Sequence, residues 1–155
     1  MSSTELRNEA NDLLAKLKAN VNALSLETTT FINLFKQEDF FTLKNDAGKL
    51  KYYKAAYSKF SLKLVPLSQE TLGLTANISA LMFAADTAMD EELSDILKAL
   101  FEACESMERE IFLYTENAEK AVSKESVAVE SLMNSSKRLL LSFKSSSELL
   151  EGSNL

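Results

Sequence analysis

Apolar residues return in steps of four and three along most of the chain. The first run is Ala10, Leu14, Leu17, Val21, Leu24, Thr28, Phe31 and Phe35, broken only by the threonine. A second takes Phe40, Leu43, Ala47, Leu50, Tyr53, Tyr57, Phe60 and Leu64, and a third takes Leu67, Thr71, Leu74, Ile78, Leu81, Ala85 and Ala88. A fourth runs through Leu93, Leu97, Leu100, Cys104, Met107, Ile111, Tyr114, Ala118 and Ala121. Such steps keep to one side of an α-helix and repeat every heptad, the spacing of helices packed side by side. They predict an all-α antiparallel bundle of four or five long amphipathic helices.

Polar residues punctuate these runs. Ser2 followed by Glu5 forms a capping box, with a hydroxyl to accept from a free backbone N–H and a carboxylate to reach back. The pattern loses phase at "KQED", where Lys36 suits a helix end and Glu38 and Asp39 suit a helix start. Pro66 cannot donate a helical hydrogen bond, so the sequence predicts a kink or boundary there. Asp86, Thr87 and Asp90 offer N-caps, and Asp90, Glu91 and Glu92 crowd a first turn, where the helix dipole favours negative charge. The fourth seam weakens at "EKAVSKESVA", where Glu125 falls on a core position, so residues 90–150 form either one helix or two with a turn near 115–126. A last helix then uses Val129, Leu132, Leu139 and Phe143. One domain over 1–150 with a frayed tail at 151–155 is the expected organisation, since Gly152 stands past the last helical residue.

Residues 71–85, "TLGLTANISALMFAA", carry no charge. Their apolar positions continue the third seam, while Met82 and Phe83 lie to another side and Gly73, Thr75, Asn77 and Ser79 are small or polar. The stretch reads as a core helix surrounded by neighbours, with Ile78 and Leu81 at the centre of the bundle. It is shorter than the roughly 18 to 20 apolar residues of a membrane span.

Composition narrows the chemistry. Three glycines and one proline in 155 residues agree with long helices and few tight turns. The complete absence of histidine removes the Ser-His-Asp and Cys-His nucleophilic arrangements and the Glu-x-x-His ligands of di-iron bundles. No glycine-rich phosphate loop or zinc spacing occurs. Cys104, the only cysteine, sits on a seam and reads as a core residue. The start of the chain lacks the features of a signal peptide, so a cytoplasmic protein is expected.

The net charge of −6 is unevenly spread. Residues 1–65 hold ten Lys/Arg and seven acids, and residues 66–155 hold seven and sixteen. Opposed charges of this kind suit neighbouring helices, so Lys51, Lys59 or Lys63 are expected near carboxylates of the 91–119 region. The acids at 102, 105 and 108 are three apart, but Glu105 to Arg109 and Glu116 to Lys120 are i,i+4 pairs of a solvated face, so no metal site is expected.

Two stretches raise the question of partners. "KYYKAAYSKF", residues 51–60, mixes basic and aromatic side chains as single-stranded nucleic-acid binders do. Helical spacing instead puts Tyr53, Tyr57 and Phe60 on a core face and leaves Tyr52 off the seam as a contact candidate; nucleic acid is not expected. In the last helix, Leu132, Met133, Leu139, Leu140, Leu141 and Phe143 form an exposed patch if the fourth helix continues past the bundle. The candidate partner-contact residues are therefore Tyr52, Leu132, Leu139, Leu140 and Phe143.

In general layout, a small acidic chain of heptad helices with a polar tail is similar to type III or flagellar export chaperones. The likeness is one of architecture. It implies a non-catalytic helical interaction protein (adaptor, chaperone or assembly subunit) with no catalytic residues and no cofactor, meeting a protein partner or its own copy through amphipathic helices. The alternative is a bundle that opens its amphipathic helices onto lipid or membrane surfaces.

Overall fold

The computed structural model describes residues 2–35, 46–123 and 129–153. Four helices occur among them: α1 (Ser3–Leu34), α2 (Asp46–Thr87), α3 (Glu91–Ser123) and α4 (Val129–Glu151). Each packs against the next, and α4 closes the ring against α1. Neighbours run antiparallel. Arg7 meets Asp90 at one end, Asn20 meets Thr71 midway, and Phe35 stacks on Tyr53 at the other end. The same descending register joins Thr75 to Glu108, Tyr114 to Ser136, and Glu110 to Arg138. The chain is an all-α antiparallel bundle.

The seams become its core. Every apolar seam residue of α1 from Ala10 to Phe35 and of α3 from Leu93 to Ala121 is buried, as are Tyr53, Tyr57, Phe60, Leu64, Leu74, Ile78, Leu81 and Ala85 of α2. Ile78 and Leu81 are 1% and 6% exposed, as their phase requires. One end of the core is aromatic: Phe31 stacks on Phe60 with centroids 4.6 Å apart, and Phe60 meets Tyr114 edge-on at 5.9 Å. Smaller side chains, Ala10, Thr71, Thr75, Cys104 and Ala118, are also among the buried residues. Phe40, Leu43, Glu125, the "KQED" stretch, the last two residues, and the side chains of Ala47 and Leu50 lie outside the described residues.

Pro66 is inside α2, not at a boundary. A proline here removes the hydrogen bond to the Leu62 carbonyl, at a cost of about 3 kcal/mol in a helix interior. Two features offset that. Pro66 points outward, so water reaches the freed carbonyl. The seam also stays in phase across it, from Phe60 and Leu64 to Leu67, Thr71 and Leu74, so continuing the helix keeps both halves of the apolar face buried. From Ala47 to Ala85 the second and third seams thus lie on one helix of 42 residues, about 63 Å long.

The α2–α3 corner is a Schellman turn followed at once by an N-cap. Asp90 N–H donates to the Ala85 carbonyl (3.0 Å) and Met89 N–H to that of Asp86 (3.1 Å). This puts Met89 at φ 59°, the left-handed region that glycine fills without strain. Asp90 then caps α3, its carboxylate accepting from Leu93 N–H at 3.2 Å. At the opposite corner α3 ends at Ser123 and α4 starts at Val129, so residues 90–150 form two helices.

Candidate functional site

The residues expected to meet a partner are mostly inside. Leu132, Leu139 and Phe143 are at most 1% exposed. The expectation of an exposed 129–143 patch assumed that α3 continues through the break. Instead α4 lies back against α1 and α3, so these side chains fill the intramolecular core. Leu140 is half-buried, and Leu141 is the large apolar residue of the group left in water. Tyr52 is also half-buried, packed on the core beside the ring of Tyr53. With Tyr53, Tyr57 and Phe60 buried, these three rings of the basic-aromatic stretch serve packing.

Polar side chains inside the bundle satisfy one another. Asn20 of α1 donates through Nδ2 to the Thr71 hydroxyl and to the Leu67 carbonyl (3.2 Å). A single buried asparagine of this kind favours one alignment of the packed helices over its neighbours. The Thr75 hydroxyl lies 2.8 Å from the Thr71 carbonyl and 2.7 Å from a Glu108 carboxylate oxygen. Glu108 is thereby half-buried, unlike exposed Glu102 and Glu105 on the same helix. Cys104 is fully buried, and burial pushes its thiol up to about 11, so it has no nucleophilic character near neutral pH. The Tyr114 hydroxyl, raised by burial, pairs with Ser136 at 3.0 Å.

Charge is organised chiefly at the Asp90 corner. Arg7 donates Nη2 to Asp90 Oδ1 at 2.9 Å and Nε to Oδ2 at 3.1 Å, and Ser3 adds its hydroxyl. Hydrogen bonds from Ser3, Arg7 and the Leu93 N–H hold the Asp90 carboxyl at about 2, below its ordinary 3.8. Every acceptor of this cluster is already engaged by the fold. Lys51, Lys59 and Lys63 are exposed, and α2 does lie beside α3, but no ion pair joins these lysines to α3 carboxylates. Lys59 and Lys63 instead border a shallow groove with Glu27 of α1. Among the described residues no group of three or more His, Cys, Asp or Glu is placed to hold a metal ion.

The surface that remains is the outward side of α2. Residues 71–85 are not surrounded by neighbours: Thr71, Leu74, Thr75, Ile78, Leu81 and Ala85 are buried, while Leu72, Gly73, Ala76, Asn77, Ser79, Ala80 and Phe83 are exposed. A four-membered ring gives each helix two neighbours and leaves its far side in water. On α3 that side carries Glu102, Glu105, Arg109 and Glu116, with Phe112 (63% exposed) beside them. On α2 it forms a second seam with no charge, Leu62, Val65, Gln69, Leu72, Ala76, Ala80 and Phe83, again in steps of three and four. Leu62 and Phe83 are 77% and 76% exposed, Leu72 and Val65 about half. This seam was present in the spacing, but apolar positions on two opposite sides read as burial all round. No described helix is long and apolar enough to cross a membrane. Compared with protein-family models, curated proteins and solved structures, the chain matches none of them.

Proposed function

We propose that this protein is a non-catalytic helical interaction protein, an adaptor, export-chaperone-like protein or assembly subunit of the cytoplasm, whose contact surface is the outward face of α2. The reading is carried by one observation. A seam of heptad spacing, from Leu62 to Phe83, is apolar or small except at Gln69, free of charge, and unpartnered among the described residues. Large apolar side chains aligned in water are unfavourable by about 25 cal/mol per Å², and rows of them on a soluble surface mark interaction sites. The heptad spacing suits another helix laid alongside, which is coiled-coil packing.

Cross-linking from positions on this face tests the reading. A photoreactive side chain at Ala76 or Ala80 should capture a protein helix, and one at Lys98 or Glu116 on the charged face of α3 should not. Equal capture from both faces would remove α2 as the contact surface.

A second reading has its own support. Exposed Lys51, Lys54, Lys59 and Lys63 precede and flank the start of the apolar seam, an arrangement suited to an anionic lipid surface. The neighbouring α3 face, rich in Glu, opposes it. Flotation with anionic vesicles that is lost in Phe83→Glu would favour this second reading.

A further inference from the structure

At the aromatic end of the bundle, α1 and α2 leave a groove open to water. Phe31 and Phe60 form its floor, their rings stacked 4.6 Å apart and 6° from parallel, with half-buried Leu34 and Ala56 beside them. Both rings are 3 to 4% exposed, so the core holds the floor in place. The space amounts to about 140 Å³. Small-molecule sites run from roughly 300 to 1,000 Å³, whereas a cavity of about 150 Å³ takes one benzene ring. Size therefore suits a single apolar side chain of a partner, not a free metabolite or cofactor.

Charge at the mouth says what must flank that side chain. Lys59 and Lys63 stand exposed on the α2 rim, one helical turn and about 6 Å apart along the axis. Lysine in such a place extends an apolar wall with its stem and keeps its ammonium in water. Glu27 is the charged residue of the α1 rim, and among the described residues none of the three is in an ion pair. Residues 1–65, which supply the whole groove, hold ten Lys/Arg against seven acids, so an anionic segment is attracted to this end of the molecule. We infer that the groove docks an acidic protein segment, with one Leu- or Phe-sized side chain seated over Phe31 and Phe60 and two carboxylates paired with Lys59 and Lys63. A helix supplies carboxylates at that separation from positions i and i+4. The groove lies on the α1 side of α2, apart from the outward seam, so the two surfaces stand or fall separately.

NMR of the full chain reads the docking. The probe is a helical peptide that carries one phenylalanine beside two glutamates spaced i and i+4. Signals of Leu34, Ala56 and Phe60 should move, with a dissociation constant of about 0.1 to 1 mM, as one side chain and two screened ion pairs allow. Lys59→Glu or Lys63→Glu should raise that constant about tenfold, and salt should raise it too. Both lysines are exposed, so the far-UV circular dichroism of these variants should match the parent chain. No movement at Leu34 and Ala56 up to about 5 mM peptide overturns the docking. Equal binding of a peptide with lysines for its glutamates overturns the acidic partner. Equal binding of one with alanine for its phenylalanine reduces the contact to surface attraction and overturns the groove. A chain that ignores the peptide but floats with phosphatidylserine vesicles through Lys59 and Lys63 overturns it in favour of lipid.

Discussion

Asp90 shows how much one side chain can settle. It caps α3, accepts two bonds from Arg7 and one from Ser3, and so ties the start of α1 to the α2–α3 corner. Its role as a cap is legible from its place before Glu91 and Glu92. Its partner is not, because Arg7 is 83 residues away and nothing local marks the pair. The carboxyl sits at about 2 when folded against 3.8 ordinarily, so its contribution is complete above about pH 4 and is lost as the pH falls from there towards 2. Asp90→Ala should therefore lower the urea midpoint at pH 7, and the gap from the parent chain should nearly close at pH 2. A gap that persists undiminished at pH 2 would mean that the ionised carboxylate is not what stabilises the corner.

At the scale of the element, α2 is where the sequence misleads and the structure instructs. A proline in mid-pattern reads as an end, because the local cost of an interior proline exceeds any local gain. The gain is tertiary: a seam in phase on both sides of Pro66 packs on α1 and α3. Local rules cannot weigh that. Pro66→Ala restores the missing hydrogen bond on an exposed face and should stabilise the chain by about 1 to 3 kcal/mol in chemical denaturation. A destabilised Pro66→Ala would show that the bundle relies on the geometry the proline imposes. The break before α4 misled in the opposite sense. It contains neither glycine nor proline, so a continuous helix and a turn were equally legible, and the exposed patch assigned to Leu132, Leu139 and Phe143 depended on the first.

For the whole molecule, heptad spacing encodes the core residue by residue, and it was legible because each of the four long seams keeps one phase over about six turns or more. The candidate site was legible only as a puzzle, the uncharged run at 71–85, since spacing cannot tell which of two apolar sides meets the bundle. Closure of four helices into a ring decides it: 78 and 81 go inward, 72, 76, 80 and 83 outward. Inside and outside are then separated by paired charged substitutions, Leu139→Glu and Phe83→Glu, followed by circular dichroism through a urea titration of the dilute chain. Leu139→Glu buries a carboxylate in a packed core and should cost more than about 4 kcal/mol, largely unfolding the chain. Phe83→Glu should keep the parent midpoint to within about 0.5 kcal/mol, as a change on a solvated helix face does. The reverse, a helical Leu139→Glu chain and an unfolded Phe83→Glu chain, would contradict both the arrangement of the bundle and the contact face assigned to α2.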